Sequence, residues 1–234
     1  MDLNLYFVLG LFQLSSVLAT GQIPLKCFLK DFNFFNVLGE TSCNEVPKAN
    51  SLHFGTLLVN STGFNIDGWI FEAKNVKYNG LDDAVLDEFG FNFSAKVLQL
   101  TFHTDMVVKC DYKSTGFLHS LPVNGEGFTE VTLKNLQMGY SIPFDIKEAD
   151  GKNFIELKSF DNWYNIKDKT EFKFTSLTNK NKGLGDEVHQ LMNQKWRYFT
   201  AHYGKNFMES LSEKIFSVFK NYVKPLSLKD FAEC

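Results

Sequence analysis

The stretch NLQMGYSIPFDI, Asn135 to Ile146, alternates without a break. Leu136, Met138, Tyr140, Ile142, Phe144 and Ile146 share one parity. Gln137, Gly139, Ser141, Pro143 and Asp145 share the other. Period two over this length predicts a long β-strand with one apolar and one polar face. Just upstream, Val131 and Leu133 occupy the opposite parity, so the phase changes at Lys134-Asn135. An extra residue in one strand shifts phase in this way, which predicts a β-bulge there.

Further upstream lies Asn124-Gly125-Glu126-Gly127. It lacks the Gly-Lys-Ser/Thr ending of a phosphate loop and the third glycine of a dinucleotide fingerprint. A strand follows it, so no helix N-terminus is present to receive an anion. Strand-like residues Phe117 to Val123 precede it, and the whole reads as a hairpin corner with glycines supplying unusual backbone angles.

A second strand region runs from Phe89 to Val108. Phe89, Phe91, Phe93, Ala95 and Val97 share one parity; Leu100, Phe102, Thr104, Met106 and Val108 share the other. The slip near Leu98-Gln99 marks a bulge or a turn. Two long amphipathic strands that change phase imply a strongly curved sheet.

After Gly183 the period changes to three and four. Val188, Leu191, Met192, Trp196, Phe199, Tyr203, Phe207, Leu211, Ile215 and Phe219 fall on one helical face. The pattern predicts a helix over 185–223 that stops before Pro225. At about 1.5 Å per residue it would be nearly 60 Å long. Gly204 is the place for a kink or for close packing against the sheet. A long apolar stripe and a curled apolar sheet pack most economically with the helix inside the curl. The expected fold class is therefore α+β.

Composition narrows the function. The chain has 234 residues, 44% of them hydrophobic, and 25 are Phe. One domain is the simplest reading. The phenylalanines fill a large core or leave apolar surface for a ligand. A net charge of −3 gives no electrostatic case for nucleic acid.

Leu3 to Ala19 is an apolar run ending in a small residue, so residues 1–19 are expected to be a signal peptide and 20–234 the mature domain. The run is short for a membrane anchor and has no basic flank. Secretion would permit disulfides among Cys27, Cys43, Cys110 and Cys234, which allow three pairings. Two glycosylation triplets start at Asn60 and Asn92.

No catalytic constellation emerges. There is no Gly-x-Ser-x-Gly elbow and no His-x-x-x-His pair. His103 alternates with Phe102 and so faces outward; His189 and His202 lie near the helix seam. Asp82-Asp83 reads as a solvated turn. No metal or cofactor is implied.

Three segments carry a resemblance. They are NVKYNGLDDAVLDEF from Asn75, CDYKSTGFLHSLPVNGEGFTEVTLKNLQMGY from Cys110, and LGDEVHQLMNQKWRYFTAHYGKNFMESLSEKIFSVFKNYV, with its Asn193 and Trp196. In this order and spacing the chain resembles the insect takeout and juvenile-hormone-binding protein family from about Asn75 to Phe231. The resemblance implies a long helix wrapped by a curved antiparallel sheet enclosing a hydrophobic tunnel. It also implies a secreted carrier of lipophilic molecules, and a disulfide between Cys27 and Cys43. The stretch between those cysteines is longer than the family pattern, and the family's first helix has no match. Cys110 and Cys234 match no family disulfide; bridging, free thiols and an interchain link all stay open.

Two function classes follow. The first is a secreted carrier of a terpenoid, fatty-acid-like or other long-chain ligand. Its expected liners are Phe91, Phe93, Phe102, Met106, Met138 and Tyr140 on strands, and Trp196, Phe199, Tyr203 and Phe207 on the helix. The second is an extracellular interaction protein of the same fold with a filled core. Neither needs a stable membrane anchor, and neither names a protein receptor.

Overall fold

The structure is a computed structural model that describes residues 55–178 and 181–228. The expected signal peptide and the expected Cys27–Cys43 disulfide, together with Cys234, lie outside the described residues. The strands are β1 (Leu57–Ile66), β2 (Trp69–Asn79), β3 (Val85–Asn92), β4 (Val97–Leu118), β5 (Leu121–Pro122), β6 (Gly125–Ala149), β7 (Lys152–Leu157) and β8 (Asp161–Phe174). A 3-10 turn, Leu81–Asp83, separates β2 from β3. They form one antiparallel sheet in the order β1-β2-β4-β6-β7; β3 and β5 also pair with β4, and β8 pairs with β6. Three helical segments follow: α1 (Lys182–Gln194), α2 (Trp196–Tyr203) and α3 (Lys205–Val223).

β4 and β6 are the spine, 22 and 25 residues long. β6 changes phase, as its alternation requires, whereas β4 keeps its even-numbered residues inward from Leu98 to Ser114. In β6 the change falls at Asn135, which has φ 52° and shifts the register with β8 between Lys134 and Leu136. Across from the bulge, the single β4 residue Asp105, between Thr104 and Met106, faces Lys134 and Asn135. Asp105 staples the bulge to β4. The Asp105 carboxylate accepts the Asn135 amide at 2.8 Å and the Lys134 ammonium at 2.7 Å. These bonds, that from Lys134 foremost, hold the Asp105 carboxyl below its usual value. Leu133 and Leu136 consequently both point inward. The extra residue in β6 bends the two central strands at this level, which curls the sheet.

Three expectations need correction. The slip near Leu98-Gln99 is a hairpin turn at 93–96, where Asn92 Oδ1 accepts the Ala95 amide at 2.9 Å and Lys96 has φ 52°. Phe93 and Ala95 thus leave the strand. The inward run of β6 ends at Phe144; Ile146 is 41% exposed, in the ribbon where β6 pairs only with β7. Finally, Gly125 and Gly127 lie within β6 and have no positive φ. The sharp reversal is at His119-Ser120, with His119 at φ 52°. A Cβ on Gly125 would collide with the Ser176 carbonyl oxygen, and one on Gly127 with the Thr175 hydroxyl. These glycines admit the chain leaving β8, which crosses close over them.

The helix begins earlier than its apolar stripe predicts, because Asn181 caps it by accepting the Leu184 amide at 3.2 Å. It is also broken twice. At Lys195 the backbone leaves helical geometry (φ −105°, ψ 30°). At Gly204 the preceding turn closes so tightly that a Cβ would strike the Thr200 carbonyl oxygen.

Among the described residues the sheet is not closed; β1 and β8 have no strand partner on their outer sides. The helical segments bridge them, and polar side chains flanking the apolar stripe serve the strand edges. On β1, Asn206 Nδ2 donates to the Gly63 carbonyl at 2.5 Å, and Ser210 Oγ donates to Thr62 Oγ1 at 3.2 Å. On β8, Asn193 Oδ1 accepts the Phe172 amide at 2.9 Å while its Nδ2 donates to the Phe172 carbonyl at 3.1 Å. His189 Nε2 accepts the Phe174 amide at 3.0 Å. Farther along, the Thr170 and Thr200 hydroxyls share a hydrogen bond and Asn162 Nδ2 donates to Ser212 Oγ. Unpaired strand edges are costly and adhesive, so this strap both closes the curl and protects it.

Candidate functional site

Under the strap lies a cavity of about 90 Å³. Its sheet walls are Phe64, Trp69 and Phe71 from β1 and β2, Val108 and Cys110 from β4, Thr129, Val131 and Leu133 from β6, and Thr170, Phe172 and Phe174 from β8. Met192, Phe199, Thr200, Tyr203, Gly204, Phe207 and Met208 form its helical roof. The floor is a lattice of rings: Phe71 stacks on Tyr112 at 5.2 Å and on Phe64 at 5.4 Å, while Trp69 meets Tyr203 edge-on at 4.9 Å. Such contacts hold the wall rigid without filling the space.

The wall's few polar atoms are already engaged. Thr129 Oγ1 donates to the Lys173 carbonyl at 2.9 Å, and Thr200 Oγ1 also reaches the Trp196 carbonyl at 2.8 Å. Cys110 is a buried free thiol; burial, aided by the Asp111 charge, pushes it up to about 12. It stays protonated at neutral pH and is no nucleophile. Tyr78, beside the roof, donates its hydroxyl to the Phe207 carbonyl at 2.8 Å. The cavity therefore offers apolar contact and little else, the chemistry that suits a lipophilic guest.

Of the expected liners, the structure brings Phe199, Tyr203 and Phe207 together at this wall. Phe102, Met106 and Met138 are buried outside it. Phe91 packs against Phe93 and Phe144 near the β3–β4 turn. Trp196 lies half-buried at the flank of α2, with the Arg197 guanidinium 4.3 Å above its ring. Tyr140 stacks on Phe102 and tilts against Phe160. Among the described residues its buried hydroxyl meets no well-aligned hydrogen-bond partner, although the Ser212 side chain lies near it, and burial raises its pKa well above the ordinary phenol value. The β2 and β8 aromatics are the liners that strand reasoning missed. Their signal was present, since Trp69-Phe71-Ala73 and Thr170-Phe172-Phe174 each keep one parity.

The histidines do not converge. His103 pairs with Asp87 at 2.7 Å on the outer face, His202 pairs with Asp67 at 2.8 Å, and His189 serves the β8 edge. Among the described residues no group of three or more His, Cys, Asp or Glu is placed to hold a metal ion. None of the described helices is long and apolar enough to cross a membrane.

The family model for haemolymph juvenile hormone binding proteins matches residues 44–233. The chain belongs to that family. Its fold is similar to the crystal structure of Takeout 1 from Epiphyas postvittana, with a TM-score of 0.72 and 28% identity over 75% of this chain and 82% of the other. No curated protein sequence matches it. For this family member, the curled sheet strapped by a C-terminal helix is thus the fold of a lipophilic-ligand carrier.

Proposed function

We propose that this protein is a secreted carrier that holds a small lipophilic molecule, such as a terpenoid or a fatty-acid-like chain, beneath the helical strap. The observation that supports this most directly is a cavity whose polar wall atoms are satisfied by the protein itself. A guest gains by removing apolar surface from water, about 25 cal/mol for each Å², and has no polar wall group to displace. Phe199, Tyr203 and Phe207 are the proposed roof contacts. Phe91, Phe93, Phe102, Met106, Met138, Tyr140 and Trp196 are proposed as the path along which a longer guest extends when their side chains shift. The Tyr140 hydroxyl, which has no well-aligned partner among the described residues, would then meet a polar end of the guest.

Residues 1–19 are the proposed export signal, with Asn60 and Asn92 as glycosylation sites. Both asparagines are exposed. A Cys27–Cys43 disulfide completes the proposal. The test is native mass spectrometry of protein secreted from eukaryotic cells, with displacement of N-phenyl-1-naphthylamine by graded fatty acids and terpenoids. Co-purified lipid or saturable displacement is the expected result. Absence of both would overturn the carrier reading. It would favour an extracellular interaction protein with a filled core, for which the burial of Phe102, Met106 and Met138 away from the cavity is the supporting observation.

A further inference from the structure

The contact between α1 and β8 has an unusual acceptor. Strand edges are ordinarily served by groups that hold their hydrogen-bonding character at any physiological pH, as Asn193 does at Phe172. At Phe174 the acceptor is instead an imidazole nitrogen, His189 Nε2, 3.0 Å from the amide. A nitrogen can accept that bond only while it lacks a proton. Protonation would turn it into a second donor facing the Phe174 N–H.

What this contact holds is the side of the cavity. Phe172 and Phe174 on β8 and Met192 on α1 are wall residues. The His189 ring also stacks on Phe174, with centroids 5.8 Å apart and planes 18° apart. At the other end of α1, the non-helical backbone at Lys195 separates it from α2. The ingredients are a segment attached to a strand edge, a hinge beside it, and one attachment that depends on a proton.

We propose that α1 is a proton-sensitive latch on the cavity: protonation of His189 releases the Phe174 amide and lets α1 pivot at Lys195, opening the wall between β8 and the helix. This rests on the carrier reading for its purpose, which would be release of the guest in an acidic compartment or at an acidic surface. The latch itself does not depend on that reading.

The surroundings set the sign. Burial disfavours the charged ring and outweighs the attraction of Asp186 on the preceding turn, so the His189 pKa lies below its ordinary 6.5. From β8 the neighbours are the neutral Phe172 and Phe174; Lys173 between them is exposed and pairs with Glu130 at 3.0 Å. Tyr112 of β4, packed edge-on against Phe174, has its pKa raised and stays neutral. The latched state thus prefers the neutral ring. Above 6.5 the latch is at full strength. As pH falls below that value the open form takes up a proton that the latched form resists, and the balance moves toward opening.

Hydrogen exchange on the full mature chain between pH 7.5 and 5.0, corrected for intrinsic rates, tests this. The Phe174 amide and the amides of α1 should lose about tenfold in protection at the acid end, while β4 and β6 keep theirs. His189→Gln, whose side-chain oxygen accepts without titrating, should flatten this dependence; His103→Gln, on the outer face, should leave it unchanged. In parallel, N-phenyl-1-naphthylamine should dissociate faster from the wild type at pH 5.0 but not from His189→Gln. Protection at Phe174 that does not change with pH overturns the latch, as does an unaltered pH dependence in His189→Gln. If no fluorophore or lipid binds at any pH, the carrier reading fails, while the exchange result still decides the latch.

Discussion

Gly125 and Gly139 show how single residues set distances in this fold. Gly125 has no unusual backbone angle; it is needed because the Ser176 carbonyl lies where a side chain would begin. Gly139, on the polar parity of its strand, is nonetheless buried, because the Trp163 indole from the neighbouring β8 lies over it. An aromatic ring laid on a strand glycine covers its exposed backbone. Gly125→Val should therefore lower stability by about 2 kcal/mol or more, read as a lower urea midpoint with unchanged slope. In the cavity roof, Phe199 is 2% exposed. Phe199→Ala should cost about 3 kcal/mol in the same measurement. It should also improve binding of bulky apolar fluorophores, because the deleted ring extends the empty space; unchanged binding would remove Phe199 from the wall.

The strap decides whether the sheet's edges are safe, and Asn193 is its most economical part. One amide side chain serves both the N–H and the C=O of Phe172, as a neighbouring strand would, and its Nδ2 also reaches the His189 carbonyl at 3.0 Å. Asn193→Ala should cost about 2 kcal/mol, because it leaves half-buried backbone groups unpaired, and should raise exchange at Phe172 before it does so in β4. Asn193→Leu, which keeps bulk and removes the bonds, should be no better than alanine; recovery by leucine would mean that packing rather than hydrogen bonding matters there. The bulge at Asn135 was legible because a phase change in alternation has few causes. Asp105, its partner in β4, was not legible: their meeting depends on the register between two distant strands.

For the molecule as a whole, a guest that binds only the folded state raises stability by mass action, about 2.7 kcal/mol at a hundredfold excess over its Kd. Saturating apolar ligand should therefore raise the melting temperature by several degrees, and Phe199→Ala should recover more than the wild type does when given a larger guest. Absence of any ligand-dependent shift would count against the carrier reading. The strand and helix content follows from local periodicity, so Leu136 to Phe144 and Val188 to Phe219 declared their buried faces without any knowledge of partners. Composition also determined the aromatic character of the interior. Tertiary structure decided which aromatics enclose this cavity, placing Phe199, Tyr203 and Phe207 opposite Trp69, Phe71 and Phe174 while Phe102 and Met138 are buried outside it. It also decided that Asn193, Asn206 and His189, polar residues beside an apolar stripe, would serve two strand edges. Periodicity records how strongly a position avoids water, a property of one residue and its phase. A void and a capped edge are relations between segments far apart in the chain, and they come into being only when the sheet curls and the helix crosses it.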